Sequence, residues 1–164
     1  VAERGRRLFA FVFGGASAAL AALYAVPGLR YLIGVRTHDD DATVDAGVLA
    51  ELPEGVPHRA AVTLRGADAW SVAGARVALY LVRSGEQVSA FDAACPHTGC
   101  AVDWSADSQA FRCPCHRSQF SVAGARLAGP APRGLDPQAV EVRDGRVLVR
   151  YRRFRAGRTD RVPV

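Results

Sequence analysis

The sequence predicts an all-β domain, antiparallel and rich in turns, preceded by one N-terminal transmembrane helix. Three observations lead there: an uncharged run of nineteen residues from Leu8 to Val26, short β-rich segments bounded by Gly, Asp and Ser after His58, and no long amphipathic helical period beyond the first run. The 164 residues leave room for an anchor and one domain of about 120 residues, and exclude two catalytic domains. An apolar share of 49% with 23% charged residues excludes a disordered chain, and 16 Gly with 9 Pro in no repeat exclude collagen. All 21 basic residues are Arg, while Lys, Asn and Met are absent, as GC-rich coding produces. The net charge of +5 is therefore weak evidence about partners. A chain that opens on Val and has no Met is expected to have lost its first residue or to be read from an alternative start codon.

At about 1.5 Å per helical residue the uncharged run reaches roughly 28 Å, close to the ~30 Å hydrocarbon core of a bilayer. Residues 1–33 are read as the anchor. Arg4, Arg6 and Arg7 precede it, whereas Arg30 and Arg36 after it are balanced by Asp39, Asp40 and Asp41. This asymmetry favours a cytoplasmic N-terminus and a domain on the outer, periplasmic side of the cell membrane. Gly14, Ala18 and Ala22 recur at a spacing of four, a face smooth enough for a neighbouring helix to approach. A cleaved secretory signal is the competing reading, and Arg6-Arg7-Leu8-Phe9 resembles a twin-arginine export signal. The run exceeds the roughly 7–15 residues of a signal core, and no clear small-residue cleavage site precedes the hydrophilic stretch, so an uncleaved anchor is expected.

Residues 34–57 carry the acidic triplet Asp39–Asp41 and then Pro53, Gly55 and Pro57 without sustained periodicity, which predicts a linker or hinge. The domain is expected over 58–164. Its strands are predicted at Ala60–Leu64, Arg76–Val82, Gln87–Phe91, Ala110–Cys113, Ala139–Arg143 and Arg146–Tyr151. Ser84-Gly85 and Asp144-Gly145 read as hairpin turns. The C-terminal arginines, Arg150, Arg152, Arg153, Arg155, Arg158 and Arg161, read as a solvated edge and tail, although lipid headgroups or an acidic electron acceptor have a use for the same charge. Nucleic acid is not an expected partner on the outer side of a membrane.

All four Cys fall in two clusters, Cys95-Pro96-His97-Thr98-Gly99-Cys100 and Cys113-Pro114-Cys115-His116-Arg117-Ser118. Three chemistries compete for them. Two structural disulfides are open to any exported domain with an even Cys count, but leave His97 and His116 without a role. A tetrahedral zinc site from two Cys and two His leaves two further Cys over, and the spacing is not that of a finger. A 2Fe-2S cluster with one thiolate pair and one imidazole pair uses both histidines.

These residues resemble the two cluster-binding loops of the Rieske iron–sulfur proteins, Cys-x-His-x-Gly-Cys and Cys-Pro-Cys-His-x-Ser. The match runs through Cys95, His97, Gly99 and Cys100 and then Cys113, Pro114, Cys115, His116 and Ser118, and Gly129-Pro130-Ala131-Pro132 resembles the proline loop that covers the cluster. The resemblance implies one 2Fe-2S cluster held within loops at about 92–133, with Cys95 and Cys113 on one iron and His97 and His116 on the other. It implies a Cys100–Cys115 disulfide and a Ser118 hydroxyl that donates to a bridging sulfide. The extra Cys pair and the anchor make the chain similar to the Rieske subunits of cytochrome bc complexes, the quinol–cytochrome c reductases. There the second-loop histidine, here His116, meets the quinol, and cytochrome b and a cytochrome c subunit are the partners. Imidazoles in place of thiolates remove negative charge, raising the potential to roughly −150 to +300 mV against about −400 mV for all-thiolate plant-type clusters. The small Rieske subunit of arsenite oxidase, fed by a molybdenum centre, is the alternative.

Three positions depart from the family pattern. Thr98 stands where Leu is frequent, and Arg117 where Gly is usual, which raises the question whether the loop keeps its backbone shape. Phe120 replaces a Tyr whose hydroxyl donates to the first-loop thiolate, so the expected potential lies below the family's high end and suits menaquinol better than ubiquinol. His38 and His58 have no ligand partner in the motif, and Trp70 and Trp104 read as packing residues.

Overall fold

The computed structural model describes residues 2–33, 43–64 and 75–164. Helix α1 (Ala2–Ile33) runs through the whole expected anchor, with Glu3 and Arg7 paired across its first turns at 2.7 Å and Pro27 near its end. Residues Glu3–Leu29 have a mean hydropathy of 1.9 and are long and apolar enough to cross a membrane. Phe11, Leu20, Leu23, Tyr24 and Leu29 are exposed, and among the described residues none of the helix's apolar window is buried. A helix apolar on all sides suits a hydrocarbon surrounding.

The remainder is all-β and antiparallel. One sheet has six strands in the order β1 (Thr43–Val48), β10 (Arg146–Arg150), β9 (Pro137–Arg143), β4 (Gln87–Asp92), β3 (Ala75–Ser84), β2 (His58–Leu64). The second has four, β5 (Asp103–Ser105), β6 (Ala110–Arg112), β7 (Gln119–Ser121) and β8 (Arg126–Ala128), in chain order. The edge strands β1 and β2 of the larger sheet touch, so that sheet curls around a core of Leu49, Leu52, Val62, Val77, Leu79, Leu81, Val147 and Val149. A second core, built on Tyr80, Phe91, Val102, Phe111, Phe120 and Leu135, lies under the smaller sheet and includes Cys95 and Cys113. Strand β3 serves both: side chains alternate across a strand, so Val77, Leu79 and Leu81 enter the first core while Tyr80 enters the second.

All six expected strands form, within two residues at each end. The expected linker, by contrast, ends early. From Thr43 the chain is strand β1, registered on β10 as Thr43↔Arg150 and Val44↔Val149, followed by a 3-10 turn at Leu49–Glu51 whose Leu49 is buried in the first core. The strand has a bulge between Asp45 and Val48, where the Asp45 carboxylate accepts the Gly47 N–H at 3.0 Å. That irregularity breaks the period-two signal, and the partner strand lies about a hundred residues downstream, so nothing local announces the pairing. Residues 34–42 of the expected linker lie outside the described residues. So do His38 and Trp70.

The hairpin joining β9 to β10 turns at Asp144 and Gly145, with φ of +50° and +73°, the two positive angles its two-residue loop demands. The other joins Ser84 to Gln87 with Gly85 at φ +62°, so its turn is Gly85-Glu86, one residue later than expected.

Candidate functional site

The two Cys-His loops connect strands of the second core and are built alike. In the first, the Cys95 N–H donates to the Cys100 carbonyl at 2.7 Å and the Gly99 N–H returns to the Cys95 carbonyl at 2.8 Å. In the second, the Cys113 N–H donates to the Ser118 carbonyl at 2.9 Å and the Arg117 N–H returns to the Cys113 carbonyl at 3.0 Å. Each bond pair closes a tight loop that sinks its leading cysteine and lifts the histidine that follows. Cys95 and Cys113 are 1% and 2% exposed, whereas His97 is half-buried and His116 exposed.

The loops meet. His97 Nδ1 lies 3.3 Å from His116 Nδ1, the rings edge to face at 4.7 Å between centroids. Cys100 and Cys115 form a disulfide joining the loops, the pairing the resemblance implies. Cys95 and Cys113 are the free thiols, both buried. Burial pushes the Cys95 thiol above its usual range and the neighbouring Cys113 adds to the rise, while the nearby His97 N–H and Ser118 hydroxyl pull the other way. Cys113 also lies within 4.8 Å of the sulfurs of Cys100 and Cys115, a grouping that resembles a metal site. The disulfide sulfurs carry no thiolate, so that trio cannot ligate a metal. What remains is two buried sulfurs and two imidazole nitrogens that face each other. This donor set suits a 2Fe-2S cluster with unlike irons, and burial of the sulfurs with exposure of the imidazoles gives it a protected and an open side.

The third loop closes on the second. Gly129 has φ +89°, and a Cβ there would sit 2.4 Å from the Ser118 Cα, so only glycine permits the approach. Past it the Ala131 N–H donates to Ser118 Oγ at 3.1 Å, leaving the hydroxyl proton to point inward. The expected proline loop is thus in contact with the expected serine.

The departures have structural outcomes. Arg117 adopts φ +59°, so the second loop keeps a shape that glycine would take without strain. Phe120 is fully buried in the core that holds Cys95 and Cys113. Thr98 is exposed, its Oγ1 3.8 Å from Cys100 Sγ. Trp104 packs on Phe111 at 5.0 Å, and Phe111 on Tyr80 at 4.8 Å, which agrees with packing roles. His58 opens β2 on the surface, away from the loops.

Two groups beside the site were not visible in the sequence. Arg133, directly after the proline loop, and Asp136 form a buried bidentate pair at 2.7 Å. The arginine-rich segment after β10 turns back on the first loop, where the Gly157 N–H donates to the Pro96 carbonyl at 2.8 Å. Composition marks that segment as a solvated tail because its attachments are made largely by backbone groups.

Comparison with known proteins agrees with the geometry. The sequence profile described as Rieske [2Fe-2S] domain matches residues 46–144. The cytochrome b6-f complex iron-sulfur subunit of Gloeobacter violaceus is 32% identical over 155 residues, 88% of this chain and 81% of that protein. The subunit of the same description from Synechococcus elongatus is 39% identical over 71 residues, 42% of this chain and 40% of its own length. A quaternary ammonium Rieske monooxygenase in its apo form superposes with a TM-score of 0.50 at 15% identity, covering 75% of this chain and 35% of that one, a likeness of fold alone. With the profile matched over more than half of its length, the chain belongs to the Rieske [2Fe-2S] family of iron–sulfur proteins.

Proposed function

We propose that this chain is the electron-transfer iron–sulfur subunit of a membrane-bound quinol–cytochrome c oxidoreductase, a cytochrome bc-type complex. The observation that carries the reading is the pair of loops in which buried Cys95 and Cys113 lie beneath His97 and His116, clasped by Cys100–Cys115. The first relatives, described as cytochrome b6-f complex subunits, and the spanning helix support it.

In this reading Cys95, Cys113, His97 and His116 hold the cluster, which when bound supplies a one-electron acceptor of raised potential. His116 presents the open edge of its ring, with Nε2 opposite the inward-turned Nδ1, and takes up a proton from the quinol hydroxyl. Ser118 holds its hydroxyl inward because the Ala131 N–H occupies its oxygen. Phe120 supplies no donor, which keeps the potential low in the family range and favours menaquinol. The electron leaves to a c-type cytochrome, and cytochrome b holds the helix in the lipid. Arg4, Arg6 and Arg7 set the N-terminus in the cytoplasm and the head outside, a side on which a disulfide persists. The head moves between quinol and cytochrome.

The test is purification of the full chain from its native membrane. A b-type cytochrome should accompany it, the complex should reduce cytochrome c with menaquinol, and His116→Ala should abolish that turnover. Co-purification with a molybdopterin subunit and no cytochrome b would replace this reading by the arsenite-oxidase one.

A further inference from the structure

The family profile ends at residue 144, yet the chain continues through β10 and then lays its last residues against the site. Residues 153–164 double back as a small hairpin: the Arg155 N–H donates to the Val162 carbonyl at 2.9 Å and the Val164 N–H to the Arg153 carbonyl at 3.1 Å, with Phe154 opposite Pro163. At its root the Gln138 side-chain amide takes both backbone groups of Arg152, at 2.6 and 3.0 Å. At its tip the Gly157 N–H reaches the Pro96 carbonyl. Between these points Arg133 Nη1 donates to the Arg158 carbonyl, and Arg161 Nε donates to Asp136 Oδ1 at 3.2 Å.

The hold is polar. A cavity of about 340 Å³, lined in part by Cys95, Pro96, Arg133, Phe154 and Val164, remains between hairpin and loop, so close packing does not set their relation. Hydrogen bonds do: the tip reaches the Pro96 carbonyl, and Arg161 reaches Asp136, whose own carbonyl accepts the Asp92 N–H at 2.9 Å at the entry to the first loop.

The tip contact has a further property. Its acceptor is the carbonyl of the peptide between Pro96 and His97, the peptide that carries the half-buried His97 out of the first loop. We infer that the C-terminal hairpin is a positioning device for the first cluster loop, with the Gly157 N–H orienting the 96–97 peptide so that His97 is held in place. This rests on the reading in which His97 is a cluster ligand, whose placement tunes the potential.

The test uses two variants of the full chain. Gly157→Pro removes the tip donor, and deletion of residues 154–164 removes the hairpin while leaving the Gln138 contact to Arg152. Hydrogen–deuterium exchange over residues 95–99 is expected to quicken at least tenfold in both, with residues 113–117 changing less than twofold. The midpoint potential of Gly157→Pro is expected to shift from that of the parent. Unaltered exchange in the first loop, equal loosening of both loops, or an unmoved potential overturns the inference. If the parent chain carries no 2Fe-2S absorption, the ligand reading fails, and the exchange comparison still decides on the hairpin.

Discussion

Gly99 and Arg117 occupy the same place in two loops of one design: each returns its N–H to the carbonyl of the cysteine four residues earlier, at φ +84° and +59°. Glycine adopts that angle freely, whereas a side chain there costs about 1–2 kcal/mol. Arg117→Gly should therefore stabilise the head by up to about 1 kcal/mol, once glycine's larger unfolded-state entropy is set against the relief. Gly99→Ala should destabilise it by a similar amount. Thermal unfolding of both variants is the measurement, and opposite shifts in midpoint are expected.

Phe120 fills the core beside Cys95 and Cys113 without offering a hydrogen bond. Its conversion to Tyr introduces the hydroxyl that, in the family pattern, donates to the first-loop sulfur. If that bond favours the reduced state by about 1 kcal/mol, the midpoint rises by about 40 mV. Redox titration of Phe120→Tyr reads this directly, and no shift or a downward one dismisses the account.

The Cys100–Cys115 bridge spans a sequence separation of 15 and ties one histidine loop to the other. A closed loop of that length is worth about 3 kcal/mol in the chain-entropy description. The double variant Cys100→Ala/Cys115→Ala should lose stability of that order in denaturant titration and release its cluster faster than the parent. Stability within about 0.5 kcal/mol of the parent would show that the loops are held by other means.

Arg133 and Asp136 are 7% and 4% exposed, and the guanidinium is held above its ordinary range first by the hydrogen bonds to that carboxylate. Asp136→Asn leaves the buried cation without its counter-charge and should cost about 3–5 kcal/mol. The companion Arg133→Met/Asp136→Leu, which removes both charges, should recover most of it. Equal losses in the two variants would assign the effect to packing.

Tyr151 donates its hydroxyl to Asp92 Oδ2 at 2.9 Å, and burial pushes its pKa up to about 12. A raised acid favours the folded state while protonated. Stability is thus complete below the unfolded value of about 10 and is lost as pH rises through the folded value, by about 2–3 kcal/mol in all. Unfolding of Tyr151→Phe followed between about pH 10 and 12 should lack this loss. Burial also raises the Asp92 carboxyl, so that group adds stability at low pH that falls as pH climbs past the unfolded carboxylate value.

Much of the site was legible because its chemistry is written in rare side chains. Cys95, His97, Cys113 and His116 are close in sequence within each loop, and the strands carrying those loops alternate cleanly. What escaped was made of backbone and distance. Strand β1 finds its partner at Arg146–Arg150, and β5, β7 and β8 have three residues each, too few to show a period. The hairpin past β10 is fastened through the Gly157 N–H, the Arg158 carbonyl and the main chain of Arg152, none of which a side-chain pattern records.

Cys113, finally, is a free thiol whose sulfur stands within 4.8 Å of both halves of the neighbouring bridge. A thiolate so near a disulfide is a nucleophile facing its substrate, and attack there swaps the partner of Cys100 or Cys115. In the proposed reading a cluster held at Cys113 would withdraw that sulfur from exchange and so protect the neighbouring bridge.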